Sequence, residues 1–161
     1  MTLARTLRRL PAPFVAPFAA LALAACAAPE PPAPTVATLT LTGAADMNGG
    51  LPAQAKVYYL RSAAAFETAD FFALFDAPEA TLGADLVAVE AHLLAPGRTL
   101  TETRSFDAAA GPVALGVVAA FRDISGPGWK ASITLSPGAV TAATATLGAS
   151  SVALVPSAPK E

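Results

Sequence analysis

Four groups of residues carry the side-chain types from which chemistry is made. His92 is the only histidine and stands two residues after Glu90. On a strand that spacing puts both on one face, and an imidazole there can act as a general base or a metal ligand. Asp46, Asn48 and Gly50 imitate the start of a calcium loop, in which oxygen ligands alternate and a bidentate Glu completes the shell at the twelfth position. That position holds Val57. Ser157 and Lys160 have the spacing of a Ser-Lys nucleophile pair, and Cys26 is the only cysteine.

Most of this chemistry fails on its neighbours. No second His accompanies His92, so neither a metal site nor a catalytic base is expected there, and the residue is expected exposed on its strand. The Ser157/Lys160 pair falls in the last five residues, where no scaffold holds two side chains in reacting geometry. Asp70, Asp76, Glu79 and Asp85 surround a helical stretch and suit caps or dipole partners. The chain has no phosphate-cradling loop, no G-x-S-x-G and no nucleotide fingerprint. The reading is therefore a non-enzyme without cofactor, metal or small-molecule substrate.

Cys26 belongs to a different kind of signal. Arg5, Arg8 and Arg9 precede an apolar stretch, residues 10–25, that is interrupted by Pro11, Pro13 and Pro17. It falls short of the roughly 20 apolar residues of a spanning helix and has the layout of a secretory signal. It ends in Leu23-Ala24-Ala25-Cys26, which resembles the bacterial lipobox, where cleavage precedes a lipid-modified cysteine. Residues 27–35 read AAPEPPAPT, a polyproline-like spacer of at most about 28 Å at ~3.1 Å per residue. The expected organisation is a signal peptide over residues 1–25, a lipidated Cys and tether over 26–35, one domain over 36–156 and a tail over 157–161.

The domain must be read from its apolar pattern. With 54% hydrophobic and 14% charged residues in a chain of 161, one domain is the expectation. Removing residues 1–25 leaves seven basic against twelve acidic residues, a net −5, which disfavours binding to nucleic acid. Thr38, Thr40 and Thr42 alternate with Ala37, Leu39 and Leu41, the period of a half-buried strand. A second strand over residues 55–60 sets Ala55, Val57 and Tyr59 against Lys56, Tyr58 and Leu60. The Gly/Asn/Pro-rich stretch between them predicts an irregular loop.

Residues 62–75 predict one helix that Pro78 ends, with Phe66, Phe71, Leu74 and Phe75 on a core face that Phe72 extends. Further strands follow at 86–94, 99–106, 112–122, 129–135, 141–147 and 150–155, separated by Pro/Gly turns. The 113–121 run is apolar on both faces and should be central. Trp129 is expected in the core. Eight strands and one helix predict an all-β, two-sheet sandwich.

The order of landmarks resembles the TssJ family, also known as SciN, VasD or Lip, of type VI secretion lipoproteins. The matching pieces are Asn48 in the first loop, VYYLRS from Val57, Phe66, ADFFALFD from Ala69, TLGADLV from Thr81, LAPG from Leu94, LGVVAAFRDI from Leu115, and Trp129-Lys130. The resemblance implies a transthyretin-like β-sandwich with one added short helix and no catalytic activity. It implies an outer-membrane lipoprotein facing the periplasm, which Ala27 after the cysteine also suggests. Its partners on that reading are the periplasmic C-terminal region of TssM and, indirectly, TssL. The first loop becomes the contact, with Asp46, Met47, Asn48, Leu51 and Pro52 as its residues. Two departures stand out: Lys130 replaces an Arg frequent in relatives, and the hairpin at Gly148 lacks distinctive side chains. The alternative is a lipid-anchored periplasmic sandwich that binds a small molecule or another envelope protein.

Overall fold

The structure is a computed structural model that describes residues 32–158. The signal peptide, Leu23, Ala24, Ala25 and Cys26 of the lipobox, most of the tether, and Lys160 lie outside the described residues. Eight strands are present: β1 (Thr35–Gly43), β2 (Ala53–Leu60), β3 (Leu86–Leu94), β4 (Thr99–Phe106), β5 (Ala114–Ala120), β6 (Lys130–Thr134), β7 (Val140–Leu147) and β8 (Val152–Ser157). They form two four-stranded sheets, ordered β4-β1-β7-β8 and β3-β2-β5-β6. This is the predicted two-sheet sandwich. Thr35 and Ser157, placed in tether and tail by the sequence, are strand residues here.

Alternation builds the first sheet. Ala37, Leu39 and Leu41 are buried against the second sheet while Thr38, Thr40 and Thr42 face out. There each hydroxyl meets that of Thr103, Thr101 or Thr99 on β4 at 3.1–3.4 Å. β1 runs antiparallel to β4 and parallel to β7.

The second sheet is covered on both faces, which is why β5 is apolar throughout and β2 is apolar on both faces from Val57 to Leu60. Ala55, Val57 and Tyr59 face the first sheet, whereas Tyr58 and Leu60 lie buried on the outer face. β5 sits between β2 and β6, as its double-sided apolarity requires. The outer cover is helical, but it is broken into α1 (Ala64–Thr68), α2 (Phe71–Asp76) and α3 (Pro78–Leu82) rather than continuous over 62–75. Ala69 is extended and the Asp70 carboxylate accepts from the N–H of Ala73, so a new helix starts where a continuation was expected. α2 does end at Asp76, with Ala77 non-helical just before Pro78, and Pro78 itself occupies the first turn of α3, where its missing N–H is harmless.

Side chains from the sheet pin this cover. The Tyr58 hydroxyl donates to Leu74 O at 2.7 Å and Lys56 Nζ to Phe75 O at 2.6 Å. Lys130 Nζ donates to the carbonyls of Phe66, Glu67 and Ala69 at 2.7–2.9 Å, closing the end of α1 as a cation does well. Desolvation there pulls its pKa below the usual lysine value, against the opposing pull of Glu67 and Asp70. Phe66 is fully buried beside Tyr58 and directly over Gly116 of β5. Trp129 is buried edge-on to Phe71. Phe72 departs from the expected core surface, being 64% exposed.

Candidate functional site

At one end of the sandwich three connections come together: the β1–β2 loop, residues 121–128 between β5 and β6, and residues 148–151 between β7 and β8. Within the first, a short helical turn spans Met47–Gly50, with Asn48 and Gly49 both at positive φ, 50° and 66°. Asn tolerates this left-handed geometry better than other side chains and Gly accepts it freely.

Asn48 ties the three connections together. Its Oδ1 accepts from the backbone N–H of Arg122 at 2.7 Å and its Nδ2 donates to Pro52 O at 2.9 Å. Its own N–H donates to Gly148 O at 3.3 Å. With 6% exposure it is a buried amide whose donors and acceptors are used inside the protein. In the calcium-like stretch Asp46, Asn48 and Gly50, the Asn48 oxygen is directed at the N–H of Arg122.

The sequence-derived contact residues therefore separate into two kinds. Asp46, Leu51 and Pro52 are exposed, Leu51 at 44%. Met47 and Asn48 are buried, Met47 completely. Met47 is corrected from surface to core: its sulfur lies against Gly43, where an added Cβ would come within 3.0 Å of it. A flexible apolar side chain inside a loop reads as surface in sequence but fills a core gap once the loop folds inward.

Between the three connections lies a cleft of about 520 Å³ lined by Asn48, Gly49, Arg122, Asp123, Ala149 and Ser150. Ser125 donates both its N–H and its hydroxyl to Asp123, which lowers that carboxyl's pKa below the ordinary value of 3.8. Arg122 and Asp123 stand in the LGVVAAFRDI stretch that carries the family resemblance, whereas Ala149 and Ser150 had no sequence signal beyond neighbouring turn residues.

His92 is also corrected. The sequence sorted the two faces of β3 properly and reversed which one points inward. Opposite β2, Ala88, Glu90, His92 and Leu94 pair with Tyr59, Val57, Ala55 and Ala53, all inward positions, in a register that shifts only beyond Ala88. Leu93 points out and is 76% exposed. β3 and β4 are edge strands of opposite sheets, so the inward side of β3 meets Glu102 and Arg104 of β4 at the margin of the sandwich. Charged groups are tolerated there because partners lie across the gap.

The domain is a two-sheet sandwich with a helical cover on one face and a loop-built end interlocked by a buried amide. The chain belongs to the family described as type VI secretion lipoprotein, VasD, EvfM, TssJ, VC_A0113, whose profile it matches over residues 35–150.

Solved structures agree. TssJ1 from Pseudomonas aeruginosa, a type VI secretion lipoprotein, is 31% identical with a TM-score of 0.73, the match covering 79% of this chain and 99% of that one. Serratia marcescens Lip, a membrane-bound component of the same system, is 26% identical with a TM-score of 0.67, over 80% and 99%. A chain in a type VI membrane complex shares the fold at 23% identity and a TM-score of 0.63, over 76% and 98%. No curated protein sequence matches the chain.

Proposed function

We propose that this protein is a scaffold lipoprotein of the outer membrane, anchored through Cys26, whose periplasmic sandwich docks the C-terminal periplasmic region of TssM and so ties the secretion complex, TssL included, to that membrane. Family membership supports the system. The observation that carries the docking site is the Asn48 tie, which fixes three loops into one surface before any partner arrives. Preorganisation of this kind lowers the ordering penalty of association. Exposed Asp46, Leu51, Pro52, Arg122 and Asp123 then supply contacts on a framework that does not have to rearrange.

The test is a calorimetric titration of the purified protein with the TssM region from the same cell. Leu51→Ser and Arg122→Ala alter exposed side chains and should weaken binding about tenfold or more while leaving the melting temperature unchanged. Unaltered affinity in both variants moves the interface elsewhere; no binding between two folded proteins removes the docking function. Cys26→Ser should release the protein from the membrane fraction while retaining TssM affinity.

A further inference from the structure

We propose that Glu90, His92 and Glu102 form a zinc site that clasps the open margin between β3 and β4. One ligand atom from each of the three lies within 4.8 Å of the others. His92 Nε2 and Glu102 Oε2 approach to 2.6 Å, yet both are shielded from solvent and neither makes an aligned hydrogen bond. The two atoms contact each other directly across the β3–β4 margin, so a ligand atom from each strand is aimed at one spot. An imidazole nitrogen with two carboxylate oxygens suits Zn²⁺, whereas Ca²⁺ and Mg²⁺ prefer oxygen throughout.

The surrounding residues dispose the carboxylates for this role. Tyr59 OH donates to Glu102 Oε1 at 2.8 Å, leaving Oε2 toward His92. Arg104 Nη1 holds Glu90 Oε1, leaving the second oxygen of Glu90 free. Each acid thus has one oxygen fixed by an outer donor and one available, the arrangement that orients metal-ligating carboxylates. Arg104 does not bar a dication, since its side chain is 45% exposed and its charge is screened by solvent.

Zinc bonds of about 2.0–2.1 Å place tetrahedral ligands roughly 3.3 Å apart. His92 and Glu102 must therefore part by several tenths of an ångström while Glu90 closes, and a water completes the shell. The edge position of both strands permits that adjustment. The sequence concealed the third ligand, because Glu102 stands ten residues beyond His92 and only the turn between β3 and β4 brings it back.

The experiment is a Zn²⁺ titration of the full-length protein in detergent after chelator treatment, read by bound metal per chain, by melting temperature and by the visible spectrum of the Co²⁺ form. One zinc per chain should bind, and at free zinc 100 times Kd the folding constant should rise about 100-fold, seen as a higher melting temperature. His92→Ala and Glu102→Gln should abolish both effects, and Leu93→Ala, on the opposite face, should keep them. Should the ligand variants fail to fold, Tyr59→Phe retains all three ligands and should weaken binding 10- to 100-fold, roughly the usual loss for an outer-shell donor. Absence of saturable binding, or equal affinity in wild type and in folded His92→Ala or Tyr59→Phe, overturns the proposal.

Discussion

Gly116→Ala is the substitution on which the packing of the helical cover can be judged most directly. A Cβ at this position would stand 2.6, 2.8 and 3.0 Å from three ring carbons of Phe66. The ring has little room to retreat: it is 1% exposed, leans on Tyr58 at 5.3 Å, and Lys130 closes the end of its helix. Overpacking of this kind costs about 1–3 kcal/mol, and a contact this close with a confined ring belongs near the top of that range. Removing a strand glycine returns roughly 0.5–1 kcal/mol of backbone entropy, so a net loss of about 2 kcal/mol is expected.

For a domain of roughly 130 residues the unfolding entropy is about 0.27 kcal/mol/K, so this loss corresponds to about 7 °C in melting temperature. Thermal unfolding followed by circular dichroism reads it. Combining Gly116→Ala with Phe66→Leu should recover about 1 kcal/mol relative to the sum of the single changes, as expected of residues in contact. A loss below 2 °C for Gly116→Ala, or strict additivity in the pair, refutes the close approach as the reason for glycine.

Three further expectations follow from named contacts. Asn48→Gly keeps the left-handed backbone and loses the amide bonds, at about 2 kcal/mol, while Asn48→Ala loses roughly 1 kcal/mol more because alanine resists that geometry; chemical denaturation of both separates the two contributions. Lys130→Met removes three donors from the end of α1 and should destabilise by about 2 kcal/mol or more, with hydrogen exchange rising first in residues 64–70. Asp123, with its folded pKa below the unfolded value, contributes stability that is present above the unfolded pKa and disappears as pH falls through the folded one. Ser125→Ala should return its NMR-monitored pKa toward 3.8.

Periodicity made the strands legible because each half-buried face records its burial residue by residue: Ala37, Leu39 and Leu41 against three threonines could be read at sight. It made the double covering of β5 legible too. What it could not show was the phase of β3, where Val89, Ala91 and Leu93 are the more apolar set and nevertheless face out. Pairing with the inward positions of β2 fixes that phase, and among the described residues Leu93 stays 76% exposed. The first loop was recognisable as irregular from Asn48, Gly49, Gly50 and Pro52. Its interior was not, since burial of Met47 and the bond from Arg122 to Asn48 depend on a chain segment 74 positions away. The break in the helix lay in one residue, Asp70, whose capping ability competes with its place in an apolar periodicity.

The position of β1 has a mechanical consequence. It is an interior strand, paired residue for residue with β4 on one side and β7 on the other, from Val36 to Thr42. Thr35 begins it and the loop carrying Asn48 follows its far end, about 27 Å away for nine residues of strand. A pull between these two ends acts along the strand axis, so the hydrogen bonds on both flanks are sheared together instead of being opened one after another. Rupture then requires many bonds to fail at once. Tension applied between residue 35 and the three-loop end meets the sandwich in its stiffest direction.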